Sequence, residues 1–472
     1  MKKVLALMIM AAGIVFAASS ASALESDVDM LLDLLVKKGV VTTEEAVDFR
    51  AAVAMKKQDA IYAAKEKPAT VPEWVQNIKM GGDVRFRTQC DWGKTTGGEA
   101  IQKQRVRERV RGRFYLEAKV CDYVYAGTRI IGGGTNPRSG DDTLDGYWSK
   151  DFVMFDQYYI RFEPSKKEAM KYGKYYSDLK LWVGRFAIPF EYNEMTWDPD
   201  ITPGGIAFQY VSSDIKTEFL PSLKLYTNLA MLWLDESAAI NTDPLLFGYQ
   251  AGVKTDSFGD LGTKVGMAVT FYNFANLQNK TPANSAMTNS RVWRGDLGNV
   301  AQTGANSSLF GTLKYEYNLL DVLMTVDNER IFDYDFPHGL YGDFVWNASC
   351  HQTDTNKAVC TGAYIGKSKP KDRGDWKARC EWRYIQRDAI PDFLPDSNFY
   401  GFGTYTNINT PPGVNGIPAA GGTNGKGIKA AFDYMLFKNT VLSFTYYWMK
   451  PIKSDDKRDP WNEFLFDINV KF

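Results

Sequence analysis

The sequence predicts an all-β transmembrane fold: an antiparallel closed barrel of about 16 strands, with 18 the next even count, preceded by a short helical extension. Three observations point there. Across residues 74–472 apolar side chains fall at every second position, with Gly, Asn, Asp and Pro clusters between the runs. Rows of arginine occupy the opposite parity. The last residues, counted back from Phe472, alternate without a fault. Composition agrees. Of 472 residues, 56 are Lys or Arg and 56 are Asp or Glu, so the net charge is zero and lacks the basic excess that a nucleic-acid partner calls for. A mean hydropathy of −0.32 excludes a bundle of membrane helices, but not a sheet whose apolar face is diluted by alternation. Only two histidines, His338 and His351, are present, which leaves little room for a His-rich metal site.

The N-terminus reads as an address followed by helices. Lys2 and Lys3 precede an apolar run from Val4 to Ala18, and Ala21-Ser22-Ala23 fits a small-residue cleavage site. Residues 1–23 are therefore expected to be a signal peptide. After Ala23 no apolar run approaches the roughly 20 residues of a spanning helix. In residues 24–73, Met30, Leu31, Leu34 and Leu35 form a stripe at helical spacing that Gly39 ends. Thr42-x-x-Glu45 is a capping box opening a second helix through Ala46, Phe49 and Val53. This extension is expected in the periplasm, as a hairpin or a contact between subunits, and Pro68 and Pro72 mark its end.

From residue 74 the period becomes two. Ile78, Met80, Gly82, Val84 and Phe86 share one face of the first strand, and Val110, Phe114, Leu116, Ala118 and Val120 one face of the second. The alternation returns at Leu223 to Trp233, Val265 to Phe271, Trp376 to Tyr384 and Leu442 to Trp448. About 17 such segments can be drawn, whereas closure with both ends on one side requires an even number. The final strand sets Phe472, Val470, Ile468, Phe466 and Phe464 against Lys471, Asn469 and Asp467. It resembles the signal by which the barrel assembly machinery recognises outer-membrane strands, an ordinary edge strand being the alternative.

The arginine rows decide which face is wet. Arg105, Arg107, Arg109, Arg111 and Arg113 repeat with period two, so a strand places all five on one side. An outward Arg costs roughly 2–4 kcal/mol at the bilayer midplane, so three of them would cost on the order of 6–12 kcal/mol, as much as a whole domain's stability. The row must face water inside the barrel. Arg85 and Arg87 lie on the matching face of the preceding strand, where antiparallel pairing is expected to bring them near the outer end of the row. Lys377, Arg379, Arg383 and Arg387 form a second row, relieved by Glu381. The candidate pore-lining residues are thus Arg85, Arg87, Arg105, Arg107, Arg109, Arg111, Arg113, Lys377, Arg379 and Arg383. Two residues resist: Glu108 falls on the lipid parity, and so does Arg185 unless Gly184 makes a bulge.

Several blocks carry a family resemblance. Ile78-Lys-Met-Gly-Gly-Asp-Val-Arg-Phe-Arg87 with the arginine row, Trp182-Val-Gly-Arg-Phe-Ala-Ile-Pro-Phe190, Trp197-Asp-Pro-Asp-Ile-Thr-Pro-Gly-Gly205, and Gly374-Asp-Trp-Lys-Ala-Arg-Cys-Glu-Trp-Arg-Tyr384 resemble the outer-membrane porin family of Gram-negative bacteria. So does the run from Leu35 to Ala46. The resemblance implies a water-filled barrel in the cell outer membrane with a helical periplasmic extension, assembled as a homotrimer. The segment from Cys350 to Cys360 and the polar insertion from Asn276 to Asn306 depart from the family pattern, which touches solute choice rather than fold.

Function follows from size and lining. Sixteen to eighteen strands leave an aqueous channel, which supports passive diffusion of small hydrophilic solutes. A row of Arg in a low-dielectric passage favours anions. The alternative is that Glu191, Glu194, Asp198 and Asp200, in the Gly/Pro-rich segment after Phe190, balance the row and leave selectivity weak. A barrel sheathing a multihaem cytochrome and a plugged structural barrel are the other readings. No haem-attachment motif occurs, since Asn347 stands where the first Cys of such a motif around Cys350-His351 would be. No Ser in a catalytic context accompanies either histidine, so neither an enzyme nor a cofactor is expected. The partners expected are outer-membrane lipid, the assembly machinery at Phe472 and small solutes, with no nucleic acid. Tyr and Trp are read as interfacial girdles, with sugar-stacking platforms the minor alternative. Asp141, Asp142 and Asp145 are read as solvated loop charge rather than a calcium site, and Gly132 to Gly134 as a turn rather than a phosphate loop. Cys350 and Cys360 bracket a polar segment and could close a loop disulfide, or remain as two thiols.

Overall fold

The computed structural model describes residues 32–52, 55, 77–93, 104–133, 137–145, 147–148, 150, 152–164, 176–216, 222–236, 243–277, 315–351, 353–399, 423–452 and 460–472. The expected signal peptide and most of the polar insertion lie outside them. The N-terminal unit contains helices at 32–37 and 43–52. Gly39, at φ +62°, ends the first helix, its N–H bonded to the Val36 carbonyl and that of Val40 to Leu35. The expected capping box opens the second: the Glu45 N–H donates to Thr42 Oγ1 at 3.2 Å and the Thr42 N–H to Glu45 Oε2 at 2.9 Å. Leu32 and Ala46 are buried, and Arg50 reaches Asp33 at 2.8 Å.

The second unit is a closed antiparallel barrel of 16 strands plus one short extra piece. Its strands are β1 (Ile78–Gly93), β2 (Gln104–Lys119), β3 (Val124–Gly132), β4 (Asp142–Thr143), β5 (Val153–Phe162), β6 (Tyr176–Arg185), β7 (Gly204–Ser212), β8 (Leu223–Trp233) and β9 (Leu245–Thr255). They continue with β10 (Lys264–Ala275), β11 (Tyr317–Ile331), β12 (Tyr334–Asn347), β13 (Lys357–Gly366), β14 (Trp376–Ile385), β15 (Gly425–Phe437), β16 (Thr440–Pro451) and β17 (Trp461–Lys471). Each long strand pairs with its neighbours in sequence, and β17 closes on β1 through Phe86 opposite Ile468 and Gly93 opposite Trp461. Phe472 finishes the seam, exchanging two backbone hydrogen bonds with Gly82. The terminal strand is therefore the closing strand, not an edge. The two-residue β4 sits in the connection from β3 to β5 and bridges to Arg109 and Val110. Setting it aside gives the even number that closure demands.

Every apolar face read from the sequence is the exposed face. Met80, Val84, Val106, Leu229, Phe271 and Phe444 are all exposed by more than a third, whereas Gln89, Asn228, Gln250, Asp321, Asp343 and Asp467, on the opposite parity, are buried. This inversion of a soluble core is what lipid outside demands. Glu108 keeps the outward parity and accepts a hydrogen bond from Thr88 Oγ1, its partner across the ladder, at 2.7 Å. No bulge rescues Arg185: β5 and β6 stay in register from Phe162 opposite Leu181 to Tyr158 opposite Arg185. Gly184 instead takes φ +121°, which lets β6 lie close to the Tyr158 carbonyl, where a Cβ would stand 2.4 Å away. Arg185 remains outward, at the end of its strand, where an outward Arg costs about 0–1 kcal/mol rather than the midplane figure.

The inward faces meet two segments that follow β6 and β14. Phe186, Phe190, Met195 and Trp197 from the first, and Ile390, Phe393, Leu394 and Phe399 from the second, form one buried cluster with the inward residues of β7 to β14, among them Leu232, Leu246, Tyr272, Leu319 and Val345. The loop disulfide considered from the sequence is not formed. Cys360 points from β13 into this cluster, while the Cys350 sulfur lies 3.6 Å from Thr355 Oγ1, so both are thiols.

Candidate functional site

The arginine wall is built by register. On β1 the inward residues are Asp83, Arg85, Arg87, Gln89 and Asp91, and the pairing sets them opposite Arg113, Arg111, Arg109, Arg107 and Arg105 of β2. Arg85 and Arg87 thus face the middle of the row, not its outer end as expected, because the hairpin places Trp92 opposite Gln104. Two like-charged cross-strand pairs result, an arrangement that destabilises a sheet unless other charges intervene.

Five carboxylates intervene. Asp141 lies 2.6 Å from Arg85, 3.1 Å from Arg87 and 3.9 Å from Arg109. Asp200 lies 2.9 Å from Arg111 and 3.6 Å from Arg113. Asp83 pairs with Arg113 at 2.7 Å, Asp467 of β17 with Arg87 at 2.6 Å, and Asp91 with Arg107 at 3.2 Å. Arg109 also donates to Gln89, Ser139 and the Asp141 carbonyl. Arg105 is exposed and in no ion pair among the described residues. The sequence allows a row facing open water or one balanced by acids of the segment after Phe190; Asp200 meets the second, joined by Asp141 and by carboxylates of β1 and β17, and Arg111 is only 3 % exposed. Burial alone would push the Asp141 carboxyl up, but the Arg87, Arg85 and Arg109 guanidinium groups prevail and hold it at about 2.

A second network surrounds the other row. Arg383, fully buried on β14, meets Asp396 at 3.0 Å and Glu194 at 3.2 Å and also contacts Glu381. Arg379 lies 3.6 Å from Glu194, and Lys429 of β15 pairs with Glu194 and with Asp396, the latter at 3.5 Å. Tyr447 donates its hydroxyl to Asp396 at 3.1 Å. Despite burial, Lys429, Arg379 and Arg383 hold the Glu194 carboxyl well below the usual range. Lys377 stands apart, donating to the Ser368 carbonyl at 3.2 Å with its ammonium over the Tyr364 ring.

Backbone bonds lock the inward segments together. The Asp198 N–H donates to the Leu394 carbonyl, the Asp396 N–H to the Glu194 carbonyl, and the Ser397 N–H to Asp198 Oδ2. Arg138, in the connection from β3 to β5, donates to the carbonyls of Asp392 and Pro395 and accepts from Ser397 through its own carbonyl. Burial and the neighbouring charges of Asp396 and Asp200 push the Asp198 carboxyl well above its ordinary value. Glu191, the fourth acid singled out, pairs instead with Lys254. Charged rows facing acids that inserted segments carry can select solutes by size and by the field between them.

Residues 97–306 match the family model described as putative porin. Over that stretch, 210 of 472 residues, the chain is similar to the putative porin family. Among solved structures it is similar to OprB of Pseudomonas putida, with a TM-score of 0.47 and 10 % identity over 84 % of this chain and 95 % of that one. It is also similar to a triple mutant of the porin of Rhodopseudomonas blastica, with a TM-score of 0.38 and 9 % identity over 84 % of this chain and 100 % of that one. No curated protein matches it. The match to that family model and the barrel fold point to the outer membrane.

Sequence reasoning missed several members of the two networks. Asp83, Asp91 and Glu463 share parity with the arginine row or the Asp467 face, so the period-two pattern could have found them. Asp141, Asp396 and Arg138 sit in connections, where spacing assigns no face. Glu463 is fully buried on β17, opposite Asp91 and Tyr447, and neither carboxylate oxygen has a hydrogen-bond partner.

Proposed function

We propose that the barrel is a water-filled channel for passive diffusion of small hydrophilic solutes, with a fixed internal constriction and only a weak preference for anions. The observation that carries this reading is the pairing of the arginine wall with Asp141 and Asp200 from inserted segments. Seven arginines on that wall (Arg85, Arg87 and Arg105 to Arg113) face five paired carboxylates, Asp83, Asp91, Asp141, Asp200 and Asp467. A small positive excess remains, too small for strong charge selection. Occupation of the interior by the segments after β6 and β14 argues for a size-selecting pore over a sheath around a cytochrome. The candidate residues Arg85, Arg87, Arg105, Arg107, Arg109, Arg111, Arg113 and Arg379 line the passage; Arg383 acts from within its wall, and Lys377 stands apart on the Ser368 carbonyl and the Tyr364 ring.

The test is planar-bilayer recording of refolded protein in a salt gradient. Stepwise conductance with a small reversal potential of the anion-preferring sign is expected. Clear cation preference would overturn the selectivity, and absence of conductance would leave a plugged structural barrel.

A further inference from the structure

One feature of the wall is left over by the channel reading. Arg185 faces outward at the end of β6, where its Nε donates to the Thr202 carbonyl at 3.0 Å. It is in no ion pair among the described residues, whereas the carboxylates nearby are already committed: Asp156 to Arg129 at 2.5 Å and to the Thr202 hydroxyl, Asp200 to Arg111 and Arg113. Beside Arg185 opens a cavity of about 280 Å³. Its outer lip is Phe155 and Trp233, both largely exposed, and it runs inward past Ile201 and Leu234 to the buried Trp197.

The cavity exists because the wall is thinly paired here. β5 and β6 share only the five residue pairs from Tyr158–Arg185 to Phe162–Leu181, so the upper part of β5, from Val153, has no β6 partner. A bulge at Asp156, where Arg129 pairs with Gln157 but Ile130 with Phe155, turns that carboxylate toward Arg129 and keeps Phe155 outward. The result is a slot with Arg185, Phe155 and Trp233 at its exposed lip and a mixed lining within, where Leu232, Leu246 and Phe393 lie beside the paired Arg113 and Asp200.

We infer that this slot binds one membrane lipid with an anionic phosphate headgroup, the phosphate on Arg185 and an acyl chain along Phe155, Trp233 and Leu234. Charge complementarity selects the headgroup, since an outward guanidinium in no ion pair presents free donors to a phosphate at the membrane interface. The aromatic pair at an exposed rim suits the junction of headgroup and chain. This inference rests on the reading of the chain as a membrane barrel, but not on its conducting.

Native mass spectrometry of the full chain, released from nanodiscs containing phosphatidylglycerol or phosphatidylcholine of the same chains, tests it. One phosphatidylglycerol should stay bound to the wild type, with at least fivefold less retention of phosphatidylcholine. Arg185→Gln should lose that retention at least fivefold, Arg185→Lys should keep most of it, and Trp233→Ala should weaken it. Inorganic phosphate at the same concentration should neither bind nor displace the lipid, which separates a lipid from a free anion. Equal retention by wild type and Arg185→Gln, equal retention of both lipids, or displacement by phosphate would overturn the proposal. Bilayer conductance of Arg185→Gln, expected to match wild type, is read separately: a silent barrel that still retains the lipid would sink the channel and leave this site standing.

Discussion

Two walls of one barrel face the same interior and solve different problems. On β1 and β2 most inward side chains of the wall are charged, and the strands bring like charges opposite one another at Arg85–Arg111 and Arg87–Arg109. On β9 to β13 the inward side chains include Leu246, Tyr272, Leu319, Val345 and Ala358, which water alone would leave uncovered. The same inserted segments serve both. Phe190, Met195, Trp197, Phe393 and Leu394 cover the apolar wall, while Glu194, Asp200 and Asp396 present carboxylates to the basic rows. These segments are therefore two-faced adaptors: hydrophobic burial fixes where they sit, and ion pairing fixes which charges the passage shows.

That division can be broken from either side. The largest effect is expected at Arg383, whose loss removes the one cation shared by Glu194, Glu381 and Asp396 and leaves Glu381 in no ion pair among the described residues. Arg383→Gln should cost about 4 kcal/mol, read as a lower thermal transition of the folded barrel and as cleavage within 386–399 by added protease. Trp197→Ala strikes the apolar face instead and should cost about 3 kcal/mol through the cavity it leaves. Bilayer recording should then show larger conductance with little change in reversal potential, and an altered reversal potential with unchanged conductance would refute the two-faced picture.

Acidification sharpens the charged side. The Asp141 carboxyl is held at about 2, below its ordinary 3.8, so its contribution to stability is fully present above about 4 and is lost as the pH falls toward 2. Over that interval anion preference should rise, and Asp141→Asn should show the acidic behaviour already at neutral pH. A reversal potential flat between pH 4 and 2 would exclude Asp141 as the controlling group. The smallest effect belongs to the other unit. Thr42→Ala removes a helix cap worth about 1 kcal/mol and should lower helical signal in an isolated N-terminal peptide while leaving conductance unchanged.

Much of this was legible in the residues. Alternation at Ile78 to Phe86, Leu223 to Trp233 and Phe464 to Phe472 set both faces of the strands, and the Thr42/Glu45 box set a helix start, because each depends on neighbours a few residues away. The partners of the arginine row divided along the same line. Asp83 and Asp91 shared its parity and could be read; Asp141 and Asp396 could not, since no period governs a connection. Arg185 has outward parity in the sequence, and the unbroken pairing with Tyr158 keeps it there.

The sequence by itself therefore determined a lipid-facing sheet and the side on which its charges lie, because a strand's period of two is a local property of the backbone. Tertiary structure alone decided the seam at which β17 closes on β1, the inward course of the segments after β6 and β14, and the carboxylate that meets each arginine. Those outcomes depend on contacts between residues as far apart as Arg87 and Asp467, and distance along a chain carries no record of distance in space.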